Sequence, residues 1–414
     1  MAVMKVAHAA PRLVTCDPVR VTPDDPLGVI VDGAVLIEDG RVVWVGAARD
    51  VSADAVVTFH AGAVITPGLV DAHTHACWAG SRHAEYAVRM SGGDYEAISR
   101  AGGGILSTHA AVAEASEAEL ARELTARLRR MAMAGVTCVE VTSGYGLWPE
   151  HEEKQLRAIA SAATDPSLPA VVPTFLALHA LPPEAAGDRE GYVRRVAEEL
   201  VPRFAEARLA EFVDAYVDQN AFRVDEARIV GRAAAAAKLR VRLHIGQFAD
   251  VGGAELCGEL HAASADHLEH VGAAGIASLA AAGTHAVLLP VASFTLGQPP
   301  PPVAELRAAG VPLVVASDSN PGTAPTESLP LALALAVRNY GLSVPEALLG
   351  ATRLAASSLG RFGGLAKETR GALVPGACAD LVVWDLPHEA AIVQPWGTSR
   401  ARRVVRDGVV IHLA

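Results

Sequence analysis

Cysteine is scarce in this chain, and what there is forms no pattern. The 414 residues hold five (Cys16, Cys77, Cys138, Cys257, Cys378), an odd number with no C-x-x-C pair. That excludes a disulfide framework and a structural zinc knuckle, and fits buried thiols in a reducing compartment. Cys77 lies two residues past a histidine pair, yet between Ala76 and Trp78 it reads as ordinary packing. Long apolar runs are missing too. Leu329 to Val337 is among the longest and is too short to span a bilayer, so no membrane partner is expected. No basic segment followed by an apolar core opens the chain, which predicts no signal peptide and a cytoplasmic protein. Basic excess is absent as well: the formal net charge is −11, and no basic stripe is available to neutralise phosphates, which excludes a nucleic-acid partner. Finally, no G-x-G-x-x-G follows a strand, and Gly102-Gly103-Gly104 reads as a loop because no strand leads into it.

What is present describes a globular enzyme. Hydrophobic residues make up 51% and charged residues 20%, and the length suits a large barrel with a minor domain. Near the start, Gly33 to Ile37 and Arg41 to Val45 flank Asp39-Gly40, a hairpin signal. The far end repeats the style, with Ala379 to Trp384 and with Arg403 to Ile411 around Asp407-Gly408. Both ends therefore predict one small β-sandwich domain over residues 1–66 and 366–414. Residues 67–365 are expected to form the larger inserted module.

In that module eight apolar runs alternate with helical segments such as Ala113–Met133 and Asp225–Lys238. The runs are Val64–His75, Thr137–Ser143, Ala170–His179, Phe212–Asp218, Val241–Gln247, Ser264–His270, His285–Val291 and Pro312–Asp318. Alternating βα units imply a parallel sheet, and eight of them predict a closed TIM-like (β/α)8 barrel in the α/β class. The first run ends in His73-Thr74-His75, and side chains at i and i+2 of a strand point the same way, so two imidazoles can grip one metal ion. Other runs also end in chemistry: Tyr145 lies just past the second, and His179, His244, His267 and Asp318 close later ones. Working groups of such barrels collect at the C-terminal ends of the strands. A lone buried histidine is more often a packed core residue. Here the convergence at one end of the barrel favours a metal site. His83, His109, His151 and His261 sit in loop or helical contexts and are expected to face solvent, with His270 outside the pocket.

His73-Thr-His75, His244, His267 and Asp318 together resemble the ligand pattern of the amidohydrolase superfamily. Within it the chain is most similar to the imidazolonepropionase family of histidine degradation. The matching stretches are Gly80-Ser-Arg82, Gly102 to Thr108, Thr142-Ser-Gly-Tyr145, Leu178-His179-Ala-Leu-Pro-Pro-Glu184, Ser264-Ala-Asp-His267 and Ser317-Asp318 to Glu327. The resemblance implies that His73, His75, His244 and Asp318 hold one Zn2+ or Fe3+ per subunit, and that the enzyme is a homodimer. It implies that Arg82, Tyr145 and His179 contact the substrate, that Tyr95 assists at its carboxylate, and that Asn320, Gly322 and Thr323 touch the carboxylate end of the product. The implied reaction opens the ring amide of 4-imidazolone-5-propanoate to give N-formimidoyl-L-glutamate.

For that reaction His267 is expected to orient the attacking water, and Asp318 to bind the metal and carry the proton to the ring nitrogen. The run His244-Ile-Gly246-Gln247 departs from the family, because Gly246 stands where an acid is common. Gln247 can hydrogen-bond the ring but cannot act as a base. Deaminases of the superfamily use a glutamate there, and two-metal relatives use a lysine ending the fourth strand; this chain has neither. Two alternatives stay open: a hydrolase of another small cyclic amide or amidine bearing a carboxylate, including a deaminase-type reaction, and a non-catalytic metabolite-binding barrel.

Overall fold

The computed structural model describes residues 5–93, 103–363 and 368–414. Both chain ends build one hydrogen-bonded sheet. From the N-terminal side come β1 (Val6–Val14), β2 (Val29–Glu38), β3 (Arg41–Ala47), β4 (Val56–Phe59) and β5 (Val64–Pro67). Asp39 and Gly40 turn β2 into β3 with φ of +48° and +72°, the left-handed pair that a two-residue hairpin needs.

The expected first barrel run divides in two. Val64–Pro67 pairs with β1 in the end sheet, and only Leu69–Asp71 (β6) enters the barrel. The break falls at Gly68, where a Cβ would lie 2.0 Å from Thr137 Oγ1. Any side chain would clash where the chain crosses between the sheets. His73 and His75 therefore lie on the extended segment just beyond β6 instead of on the strand itself.

The remaining barrel strands are β7 (Val136–Thr142), β8 (Ala170–Leu178), β9 (Phe212–Val217), β10 (Arg240–Ile245), β11 (Ser264–His267), β12 (His285–Leu288) and β13 (Leu313–Val315). They run parallel in sequence order from β6 to β13. The seam is stitched past the strand ends: Asp318 N donates to His73 O at 3.1 Å, and His75 N to Ser319 O at 3.0 Å. After the barrel, β14 (Leu381–Trp384), β15 (Ala401–Arg406) and β16 (Val409–Leu413) rejoin the end sheet through β5, with Asp407-Gly408 turning the last hairpin.

The helical segments follow local signals. Ser116 begins the helix Glu117–Met133 with a capping box to Glu119, which breaks the expected Ala113–Met133 helix after Glu114. Val224–Ala236 occupies the second expected segment.

The barrel strands are buried along most of their length, so alternation separates two interiors rather than inside from water. On β9, Val213, Ala215 and Val217 pack outward into the core beneath the helices, while Phe212, Asp214 and Tyr216 take the opposite face. The lumen therefore changes character along its axis. Phe212, Cys138, Val172, Val287 and Val314 make an apolar floor, closed by Ala355, Ala356 and Leu359. One step up, Asp214 and Glu140 stand on the same strand faces, and one step further Tyr216 and Thr142. Arg242 and His244 continue the lumen face of β10. Among the described residues, no helix is long and apolar enough to cross a membrane.

Candidate active site

Three chain segments meet at the top of the lumen. His75 Nε2 lies 3.2 Å from His244 Nε2, and Asp318 Oδ1 lies 3.4 Å from His75 Nε2 and 3.6 Å from His73 Nε2. One nitrogen each from His73, His75 and His244 falls within a sphere suited to a single cation. Burial, then the neighbouring His244, pushes His73 down to about 4; burial and His75 hold His244 well below its usual range. The imidazoles of His73 and His244 are therefore neutral, the form in which an imidazole can bind a metal. Asp318 is anionic: burial opposes its charge, yet His75, His267 and His73 hold it at about 2.

Each imidazole is held by its other nitrogen. His73 Nδ1 donates to Asp266 Oδ2 at 2.7 Å, and His75 Nδ1 meets Thr142 Oγ1 at 3.0 Å. His244 Nδ1 lies 3.0 Å from Asp214 Oδ2, off the alignment of a hydrogen bond. Such partners fix ring orientation and raise ligand basicity. Meanwhile His73 Nε2 and Asp318 Oδ1 are buried with no hydrogen-bond partner. Buried polar atoms left unmatched among converging donors fit a metal ion, and the donor set is one that takes it.

Beneath these imidazoles lies a buried charge cluster. Arg242, fully buried, donates from Nη2 to Ala72 O at 2.6 Å and to Asp266 Oδ2 at 3.1 Å. Glu140 Oε2 accepts from Thr74 N at 2.9 Å, between the two leading histidines. Burial raises Glu140 to about 8, with Arg242 opposing the rise. Burial also opposes charge on Asp266, but Arg242 and His73 win and keep it ionised.

A cavity of about 380 Å³ opens above the cluster, lined by His75, Arg82, Tyr145, His179, His244, Gln247, His267, Asp318, Asn320 and Thr323. Among the other expected residues, His73 lies fully buried beneath it. Gly322 sits behind Arg82, where a Cβ would meet Arg82 Nη1 at 2.2 Å. Tyr95 lies outside the described residues. Arg82 is buried at the cavity wall and pairs with Glu85 at 2.9 Å, so it is both an ion-pair residue and a wall residue. Asn320 organises its own loop: its Oδ1 accepts from Gly322 N and Thr323 N, and its Nδ2 donates to Asp318 O and Thr323 Oγ1. Gln247 Oε1 accepts from the Tyr216 hydroxyl at 2.9 Å, which leaves its amide protons for the cavity. Gly246 before it has φ +62°, a backbone state that glycine adopts without strain.

The Tyr145 loop is fixed from behind. Glu152 accepts from Gly144 N, and Gln155 accepts from Tyr145 N and Gly146 N. His179 Nδ1 donates to Gly144 O at 2.8 Å, and its ring stacks on His75. His109 corrects an expectation. It is buried, and its Nδ1 donates to Tyr145 O at 3.1 Å, because the helix Ile105–Glu114 packs against this loop. His151 is half-buried beside it, whereas His83 and His261 are exposed as expected, and His270 is exposed and outside the cavity lining.

Residues 64–411 match the amidohydrolase family. The chain is 42% identical over 397 residues to an imidazolonepropionase of Polaromonas sp., covering 95% of this chain and 92% of that one. The chain belongs to the amidohydrolase family, in its imidazolonepropionase branch. A Caulobacter vibrioides imidazolonepropionase is 44% identical over 394 residues, covering 93% of this chain and 94% of its own. Among solved structures, an adenosine deaminase from Xanthomonas campestris with bound zinc superposes with a TM-score of 0.71 at 20% identity, covering 98% and 92% of the two chains. Escherichia coli guanine deaminase gives 0.70 at 17% identity over 99% of both. These two establish the fold. Family membership and the site's donors together make this a metal-dependent hydrolase.

Sequence reasoning missed Asp214, Asp266, Glu140, Arg242 and Thr142. The signal that finds them is polar residues at every second position of otherwise apolar strands, as in Arg240-Val-Arg-Leu-His-Ile. In a strand buried on both faces, such residues point into the lumen.

Proposed function

We propose that this chain hydrolyses the ring amide of 4-imidazolone-5-propanoate to N-formimidoyl-L-glutamate, a step of histidine degradation. The observation that carries the reading is three imidazoles and one carboxylate converging at the wall of a cavity that also holds a buried arginine. Kinship with imidazolonepropionases over more than nine-tenths of the chain supplies the choice of substrate.

In this reading His73, His75, His244 and Asp318 hold one zinc or ferric ion per subunit of a cytoplasmic homodimer; imidazole and carboxylate suit either ion. When bound there, such an ion would supply an activated water, with a pKa of about 7 in the case of zinc, and a Lewis acid for the ring carbonyl. Asp318 takes the proton from the attacking water and delivers it to the ring nitrogen as the carbon–nitrogen bond breaks. His267 orients that water and balances the charge that develops on the carbonyl oxygen. Gln247 cannot carry protons, so the transfer falls to Asp318 and His267. Tyr145, His179 and the Gln247 amide hold the polar ring. Arg82 pairs with the propionate through its planar fork, with Tyr95 assisting, and Asn320, Gly322 and Thr323 touch the carboxylate end of the product.

The deciding experiment is elemental analysis of the purified protein alongside loss of imidazolone absorbance and mass detection of the product. Metal without turnover points to another cyclic amide or amidine; neither metal nor turnover points to a binding barrel. For Arg82, a lysine keeps the charge and loses the fork. Arg82→Lys should raise KM by roughly 10–100-fold with little change in kcat. Gly322→Ala should act in the same direction, because the new methyl displaces the guanidinium. An unaltered KM in both variants removes Arg82 from substrate binding.

A further inference from the structure

The cavity wall at His267 has an unexplained backing. Both His267 and Leu268 carry positive φ, +81° and +77°, an uncommon state for two successive non-glycine residues. This turn brings Glu269 back toward the imidazole two positions before it. His267 Nδ1 and Glu269 Oε2 face each other at 3.8 Å, both buried and both without a hydrogen-bond partner. The other carboxylate oxygen is fixed: Ser293 Oγ donates to Glu269 Oε1 at 2.6 Å. Ser293 has only one proton to give, so the Tyr340 hydroxyl, 2.5 Å from Ser293 Oγ, donates to it in turn. Ser293 lies on the helix Pro290–Leu296 and Tyr340 ends the helix Leu329–Tyr340. Two separate elements thus hold one carboxylate with its free oxygen aimed at the ring.

We propose that Glu269 is the positioning residue for His267: it accepts the Nδ1 proton and so fixes the tautomer and the angle at which Nε2 meets the cavity. Ser293 and Tyr340 clamp it in place. The inference rests on the reading of His267 as the residue that attends the attacking water. A separation of 3.8 Å is longer than a hydrogen bond, and catalytic hydrogen bonds of this kind tighten when the substrate closes the site. No proton leaves the pair, because Glu269 shares the Nδ1 proton without taking it away.

The test compares Glu269→Gln, His267→Ala and the double variant, each with metal content measured by elemental analysis. Glu269→Gln should lower kcat about 10–100-fold, with KM within about threefold of the parent and metal content unaltered. The double variant should be no slower than His267→Ala alone, since Glu269 acts only through that ring. A merely structural glutamate would instead lower the melting temperature and the metal content, and its loss would multiply with that of His267→Ala; that pattern overturns the proposal. So does a parental kcat in Glu269→Gln when His267→Ala is impaired. If His267→Ala is itself fully active, the role of His267 fails and the positioning role with it. Should Glu269→Gln not fold, Ser293→Ala removes the clamp and keeps the charge. It should lower kcat by a smaller factor that vanishes in the His267→Ala background, and an unaltered kcat there overturns the proposal.

Discussion

Asp318→Asn is expected to lower kcat by about 10²–10⁴, the span typical of a lost acid–base group. The amide keeps the shape of the side chain, so the loop beyond it should survive, with Asn320 Nδ2 still donating to the backbone carbonyl of residue 318. What disappears is an anion that three histidines hold at about 2 against the pull of burial. The variant must be compared with its parent after reconstitution with metal, because one oxygen of the carboxylate lies 3.4 Å from His75 Nε2 and 3.6 Å from His73 Nε2. Reduced metal content together with reduced turnover assigns the residue to both tasks. Full metal with slow turnover isolates the proton shuttle, and full metal with full turnover removes it.

The second large effect concerns stability. Arg242→Met should destabilise the fold by about 3–5 kcal/mol, read from the urea midpoint, because it strands buried carboxylates without their counter-charge. The guanidinium is fully buried, touches Asp266 and Ala72 O, and opposes the rise in the pKa of Glu140. The damage should reach the metal as well. Asp266 orients His73, so weakening its charge should reduce metal affinity roughly 10–100-fold. A variant that unfolds and binds metal like the parent would show that this cluster is neutral overall and dispensable.

The parts of this molecule that were legible in the sequence are those set by short-range rules. The eight apolar runs mark the barrel because each is buried and each is followed by a helix, and the Asp-Gly turns mark the hairpins through their left-handed backbone. The convergence of His73, His75, His244 and Asp318 at one end of the barrel was legible because they sit at or near strand ends. The division of the first run at Gly68 was not, since it depends on the methyl and hydroxyl of Thr137, a residue far along the chain. Strand β1 escaped notice for a similar reason: its pairing with β2, β4 and β5 is visible only once the end sheet is assembled. The sequence predicts a surface position for His109 because nothing local says that its helix faces the Tyr145 loop. The carboxylates under the ligands needed a different question of the sequence, namely why a strand buried on both faces should hold charge at alternate positions.

The seam between the first and last barrel strands has one more consequence. Ser317 N reaches across 246 positions of sequence to Asp71 Oδ1, and His73 and Asp318 share a backbone bond at the same place. An ion held as proposed, by side chains from both edges, would act as a clasp on a very large loop and make folding and loading one linked equilibrium. Chelated protein should therefore unzip here first: amide exchange at residues 69–75 and 313–319 should quicken while the far wall of the barrel stays protected.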